Sequence, residues 1–297
     1  MSIPSDTLGL VAAGKVPLLD FTRKQSEVID EVRLLQADMP DLCLHGSHQS
    51  VSTGPLIPGC AICTRAAYMC FQVGFRCNAR CPFCFLNTGP ADAFDEGEDR
   101  ARQALLAEFH SRKHNLEGVA LTGGEPFLYL PELEACVLQM RRARPDLHLW
   151  LYTNGILADR ERLTFVHDIG VHELRFNLAA TDYDPKTLAN LEQARSIFEY
   201  VAVEVPSYPV QKGRLMACLA DLDRIGIDQL NLQELLVTSA NVDRLQGEGY
   251  QSGILLQKRF FLYGSRRMTY EVMRHCIDTG CRFTVNDCSV AQFGLGQ

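Results

Sequence analysis

Between residues 67 and 236 short apolar runs alternate six times with amphipathic helical patterns, and this alternation limits the fold more than any other feature. Residues 67–73, 118–121, 147–152, 173–178, 201–205 and 229–236 read as strands. Residues 101–110, 132–142, 159–169, 185–198 and 215–225 read as the helices between them. A strand followed by a helix at this spacing builds a parallel sheet whose functional residues lie at the strands' C-terminal ends. Six units fall short of the eight that close a full barrel, so the expected fold is α/β, a partial (β/α)6 barrel of parallel strands. An N-terminal helical extension and a C-terminal covering segment flank it. Thr22 and Gln25 form a capping-box signature ahead of Val28, Val32 and Leu35, which predicts a helix over 23–37. Residues 40–58 look irregular. From about residue 241 the rhythm breaks, and the tail reads as an irregular cover plus a helix over 269–279 ended by Gly280. The organisation expected is therefore an extension over 1–65 with a helix and a cysteine-containing loop, the barrel over 66–240, and a cover over 241–297 able to complete a metal site.

Charge narrows the partners. With 29 Lys+Arg against 36 Asp+Glu the net charge is −7, which offers no general attraction for a polyanion, so a nucleic-acid partner is not expected. Residues 46–64 lack Lys, Arg, Asp and Glu, but their Pro, Gly, Ser and Gln content marks a loop rather than a membrane span. No basic residue precedes the short apolar stretch near the N-terminus, unlike a secretory signal, and a cytoplasmic protein is expected.

Seven of the twelve cysteines fall between Cys43 and Cys84. In a reducing compartment such clustering points to metal or Fe–S ligands rather than disulfides. The first strand leads into Cys77-x3-Cys81-x2-Cys84, and chance would place cysteines at both offsets with a probability of only about 0.02. Three thiolates can hold three irons of a cubane and leave the fourth free to bind another molecule. The plainer alternative is a zinc knuckle with a fourth ligand elsewhere.

At these residues the sequence resembles the radical S-adenosylmethionine (SAM) superfamily, whose signature is C-x3-C-x2-C after the first strand with an aromatic residue, here Phe83, before the last cysteine. The second strand ends in Gly123-Gly124-Glu125-Pro126, similar to that family's GGE motif, whose backbone and Glu hold the methionyl amino group. Physically, glycines admit close backbone approach and a carboxylate offsets an ammonium charge. Thr153-Asn154-Gly155 closes the third strand and resembles the segment whose Thr or Asn contacts the SAM ribose; the alternative for Asn154 is an ordinary Asn-Gly turn. Arg175 and Asn177 share one face of the fourth strand, and the resemblance implies contacts to the SAM carboxylate and ribose. An ion pair with a neighbouring acid is the alternative for Arg175. Glu204 after the fifth strand, and Gln233 or Glu234 after the sixth, are candidate pocket residues. The likeness covers roughly residues 60–290 and looks closest to proteins related to pyruvate formate-lyase activating enzymes. It implies a [4Fe–4S] cluster, SAM, and an electron donor such as flavodoxin or ferredoxin.

A further pair, Cys60-x2-Cys63, fits one edge of a zinc site or of a second Fe–S cluster. Relatives with this layout show such a pair together with an Asn-x-Cys-Ser segment near the end, matched by Asn286 to Ser289, which favours Cys60, Cys63 and Cys288 as one site. Cys43 or Cys281 could be fourth. Cys70 lies within a strand and reads as core, as do Cys136 and Cys218 within helices. His45 and His48 read as solvated loop residues. Residues 258–267 mix basic and aromatic side chains, either as a lid over an anion or, better, as apolar anchors with charges in water. The reading favoured is a radical SAM enzyme abstracting hydrogen from a small-molecule or peptide substrate. A glycyl-radical-enzyme activase and a non-catalytic Fe–S electron carrier or metal-stabilised binding module are the alternatives.

Overall fold

The computed structural model describes residues 33–34, 37–39, 41–45, 50–86, 88–90, 97–247, 253–256, 259–262 and 264–289. The helix expected over 23–37 falls almost wholly outside them, as does His48. All six expected strands form: β3 (Tyr68–Gln72), β4 (Gly118–Thr122), β5 (His148–Thr153), β6 (Glu173–Phe176), β7 (Tyr200–Pro206) and β8 (Gln229–Gln233). Each pairs in parallel with the next. The intervening helices are α2 (Gly97–Arg112), α3 (Leu130–Ala143), α4 (Arg160–Asp168), α5 (Pro185–Arg195) and α6 (Lys212–Ile225). Their ends follow local chemistry. Asp159 caps α4 by accepting from Arg162 N at 3.0 Å, Asp184 caps α5 from Lys186 N at 3.0 Å, and Gly226 ends α6 at φ +78°.

Alternation along the strands decides what faces where. Met69, Phe71, Val119, Leu121, Leu149, Leu151, Leu174 and Phe176 are buried on the outer face against the helices. Inner-face positions near the strands' C-terminal ends are polar: Gln72, Thr122, Tyr152, Arg175, Glu204 and Gln233 all line one cavity, while Ala120, Trp150 and Ala202, further down the same face, pack against residues 57–62.

Two segments depart from expectation. The tail does more than cover the barrel: after α8 (Ser265–Thr279), ended by Gly280 at φ +69°, β12 (Thr284–Asp287) joins β8 as a seventh parallel strand. Within 40–58, β1 (Cys43–His45) and β2 (Ser50–Ser52) pair antiparallel and extend the same sheet beyond β12. The full order is β1-β2-β12-β8-β7-β6-β5-β4-β3, with β3 at the far edge. Beside it β9 (Leu236–Val237), β10 (Gly253–Leu256) and β11 (Arg259–Leu262) form a small antiparallel sheet, preceded in part by α7 (Val242–Gly247).

The supposed loop over 46–64 ends in a helix, α1 (Pro58–Thr64), which plugs the N-terminal end of the barrel. Pro58 in the first turn has no N–H to satisfy, Ile57 N donates to Gln229 Oε1 at 3.0 Å, and Gly59 N donates to Glu173 Oε2 at 2.8 Å. Ile62 packs with Ala120 and Trp150. A side chain at position 59 would meet the ends of Arg175 and Glu173 at 2.6–2.8 Å, so the buried ion pair would have to shift to admit one.

Candidate cofactor site

The cavity, of about 390 Å3, opens at the C-terminal ends of β3, β4 and β5 and reaches down toward α1. Its size falls at the small end of the ~300–1,000 Å3 usual for small-molecule sites. Cys77, Cys81 and Cys84 line it on the loop after β3. The loop is held from several directions. Arg76–Cys77 pairs with Gly89–Pro90, Cys77 Sγ accepts from Ala79 N at 3.4 Å and from Asn154 Nδ2 at 3.8 Å, and Asn241 Nδ2 donates to Phe83 O at 2.9 Å. Phe83 lines the cavity and meets Tyr208 edge-on at 5.8 Å. Burial pushes the Cys81 thiol up to about 12, so a bound cation is needed to draw off its proton. Among the described residues no three His, Cys, Asp or Glu side chains are gathered around a single point. A cubane does not ask for that, because its thiolates bind different irons.

Upstream of the thiols, residues 73–76 are fastened by side chains that sequence reasoning missed. Glu98 Oε1 accepts from Phe75 N at 2.7 Å and from the Tyr129 hydroxyl at 2.6 Å, while that hydroxyl accepts from Arg76 N at 2.7 Å and Arg102 donates to Val73 O at 2.8 Å. Glu98 and Arg102, four apart on the buried side of α2, carried a usable signal: paired charges on a helix face that should be apolar.

The Gly-Gly turn also serves the local packing of the strand exit. Gly123 and Gly124 do line the cavity, but what demands glycine is the Cys-bearing strand exit. Gly124 N donates to Gly74 O at 2.8 Å, and a Cβ at Gly124 would stand 2.0 Å from Arg76 O. Gly123 sits at φ +143°, and a Cβ there would stand 2.3 Å from Gly74 O.

Glu125 is not among the residues lining the cavity. Its carboxyl is fully buried and accepts from Thr153 Oγ1 at 2.9 Å, Asn154 N at 2.8 Å and Phe127 N at 3.1 Å. It ties the GGE turn to the Thr-Asn-Gly turn instead of presenting a carboxylate to an ammonium group, and Pro126 is buried with it. Burial outweighs these donors and pushes the Glu125 carboxyl up to about 7. Thr153 and Asn154 line the cavity, and Asn154 Nδ2 donates to Asn78 Oδ1 at 2.7 Å, so this turn is bonded to the cysteine loop.

Arg175 takes the ion-pair alternative. Its Nε lies 2.6 Å from Glu173 Oε1 and its Nη1 2.9 Å from Glu204 Oε2 and from the Tyr152 hydroxyl, with 2% of the residue exposed. This commits the guanidinium to the barrel floor rather than to a ligand carboxylate. Burial works against ionising Glu173, yet Arg175 and His148, whose Nε2 is 3.0 Å away, hold that carboxyl below its usual range. Glu204 lines the cavity while engaged by Arg175 and by Asn231 at 3.1 Å. Asn177 lines the cavity with its Oδ1 buried and free of any hydrogen bond. Gln233 faces the cavity; Glu234, one residue on, faces the other way toward Arg266 and Asp287.

Cys60, Cys63 and Cys288 all line the lower cavity, brought together by α1 and β12. So does Cys70, which corrects its reading as core: with Tyr68 and Gln72 it occupies the inner face of β3 and is exposed to the cavity. Neither proposed fourth ligand is there. Cys43 is exposed on β1, and Cys281 interacts with Cys276 behind the sheet. Cys136 and Cys218 are buried as expected. His45 bonds Ser52 Oγ at 2.8 Å. Phe260 and Phe261 are buried, in line with apolar anchoring, and Arg267 stays at the surface beside Glu271, but Arg266 is tucked in against the buried Asp287 instead of facing water.

The comparisons with known proteins agree with this geometry. Residues 71–202 match the family model of the radical SAM superfamily. A protein of Methanocaldococcus jannaschii named as a glycyl-radical enzyme activating enzyme is 23% identical over 201 residues, 65% of this chain and 53% of that protein. A GTP 3′,8-cyclase of Nautilia profundicola is 32% identical over 128 residues, 42% of this chain and 38% of that enzyme. The structure of Streptococcus suis SuiB bound to S-adenosylmethionine superposes with a TM-score of 0.52 at 11% identity, covering 75% of this chain and 50% of SuiB. The chain thus spans about half or less of the length of these relatives. Among the described residues no helix is long and apolar enough to cross a membrane. The family match over residues 71–202, with the cysteine, GGE and TNG segments at successive strand ends, identifies a radical SAM domain in this chain, and the fold around it is that of SuiB.

Proposed function

We propose that the protein is an enzyme that cleaves S-adenosylmethionine reductively at a [4Fe–4S] cluster on Cys77, Cys81 and Cys84 and abstracts hydrogen from a small-molecule or peptide substrate. One observation carries the reading: three thiols, the Gly123-Gly124 turn and the Thr153-Asn154 turn, from the ends of three successive strands, line a single cavity. The donor set suits the cofactors. Three soft thiols present themselves without a fourth protein ligand on their loop, and Asn177 Oδ1 offers an unfilled hydrogen-bond position to a polar ligand. The chemistry such a cofactor pair supplies, when bound, is one-electron cleavage of the sulfonium bond to methionine and a 5′-deoxyadenosyl radical.

This chain's own residues position and enclose. Asn154 bonds both Asn78 and Cys77, which ties the turn nearest the ligand to the cysteine loop. Glu125 fixes that turn from behind, and Gly123 and Gly124 bring their backbone to the cavity wall. Phe83 shields the loop from water, and Glu204 and Gln233 give the substrate side a polar lining. The reductant required is a one-electron donor such as flavodoxin or ferredoxin, and the cysteine usage suits the cytoplasm. A second metal on Cys60, Cys63 and Cys288 is not required by this chemistry.

A second reading, activation of a glycyl-radical enzyme, is favoured by the assignment given to the M. jannaschii relative. Anaerobically reconstituted protein, given dithionite and SAM, should release 5′-deoxyadenosine, and the Cys77/Cys81/Cys84→Ala variant should release none. Release at the parental rate by that variant would overturn the assignment. Deuterium transfer into 5′-deoxyadenosine from a labelled small molecule or peptide, as opposed to a protein glycine, separates the two readings.

A further inference from the structure

We propose that Cys60, Cys63, Cys70 and Cys288 bind a second, thiolate-ligated metal centre, at the floor of the barrel and separate from the Cys77 loop. Each thiol arrives on a different structural warrant. Cys60 and Cys63 stand three apart on α1, hence on one face of the helix, and that face looks up into the cavity. Cys70 occupies the middle inward position of β3. Cys288 follows β12 in the same parity as Asn286, which also lines the cavity. β3 and β12 are the two parallel strands farthest apart in the sheet order, and only its curvature makes their cysteines face one space.

Cys63 is within electrostatic reach of each of the other three thiols, and Cys60 of Cys288. Tyr68 hydrogen-bonds Cys63 and senses Cys63, Cys70 and Cys288, and Cys288 in turn senses Cys60 and Cys63. The surroundings are those of a thiolate site. Gln229 Nε2 donates to Cys60 Sγ at 2.9 Å, the kind of outer donor that orients a ligating sulfur. The Arg175 guanidinium, besides pairing with Glu173 and Glu204, is within electrostatic reach of all four sulfurs and would offset their charge. Four cysteines satisfy either a tetrahedral zinc or a fully ligated cubane. Among the described residues no three such side chains are gathered around one point, so a mononuclear zinc would require these thiols to draw together, whereas the thiolates of a cubane each bind a different iron. Either centre would tie the plug helix, the first parallel strand and the last one into a single unit.

The site stands on its own thiols, so it is tested where the SAM-cleaving reading is silenced. In the Cys77/Cys81/Cys84→Ala background, anaerobic reconstitution should leave about four irons per chain if the centre is a cubane, or about one zinc if it is mononuclear. Adding Cys70→Ala should lower the retained metal at least twofold under a chelator challenge. Adding Cys281→Ala, outside the cavity, should leave it unchanged. The unsubstituted protein, whose folding is not in question, should carry about eight irons, or about four irons and one zinc. No metal in the triple variant, only four irons and no zinc in the parent, or equal retention in the Cys70→Ala and Cys281→Ala variants would each overturn the proposal. Loss of 5′-deoxyadenosine release with this metal still bound would instead count against the Cys77 loop assignment alone.

Discussion

Replacing Glu125 by Ala should destabilise the protein before any ligand is added. The carboxyl, with none of its surface exposed, receives hydrogen bonds from Thr153 Oγ1, Asn154 N and Phe127 N. The Thr153 hydroxyl can turn elsewhere, but the two backbone N–H groups cannot, and a buried donor left without a partner costs about 1–3 kcal/mol. Two such donors give about 2–6 kcal/mol, a large part of the ~5–15 kcal/mol by which domains are stable. Acidity adds a signature. Burial raises the folded-state pKa from 4.5 to about 7, so the folded protein holds a proton that the unfolded chain has released. The associated stability is fully present below pH 4.5 and is lost as pH rises through 7, an effect on the order of a few kcal/mol. Urea unfolding of metal-free protein at pH 5 and pH 7.5 should show this slope in the parent and a shallower one in Glu125→Gln. An unchanged urea midpoint in Glu125→Ala, combined with a tenfold loss of SAM affinity, would refute the reasoning: the carboxylate would then meet the ligand directly.

Further outcomes follow from the same geometry. Gly124→Ala places a Cβ 2.0 Å from the Arg76 carbonyl, backbone against backbone, and should lower the thermal midpoint by the equivalent of about 1–3 kcal/mol while weakening iron retention by the adjacent loop. Arg175→Met strands the Glu173 and Glu204 carboxylates in the barrel floor; a loss of about 3–5 kcal/mol is expected by chemical denaturation, and the additional Glu173→Gln substitution should recover part of it. Glu234, raised to about 7 chiefly by burial despite Arg266, contributes stability in the same direction as Glu125, so Glu234→Gln should flatten the stability profile between pH 4.5 and 7.

The strand and helix rhythm, the outward apolar positions and most helix ends were legible in the sequence because each depends on near neighbours. Asp159 and Asp184 cap with their own side chains, Gly226 and Gly280 take left-handed φ, and alternation along β4 to β8 reports the two faces of a curled sheet. The Cys77, Cys81, Cys84 spacing was equally local. What lay beyond reach was set by partners distant in the chain. β12 is four residues long and acquires strand identity from the edge of β8, while α1 is a seven-residue helix anchored by Gln229 and Glu173. The motif Glu125 was identifiable, yet only the packing of the Thr153 turn above it showed that its carboxyl points inward. Cys70 was placed in a strand, but whether a strand's inner face meets a core or a cavity depends on how the whole sheet bends. Local sequence determined which residues alternate and which can cap or bind; closure of the sheet decided which of them meet, because curvature is a property of all the strands at once.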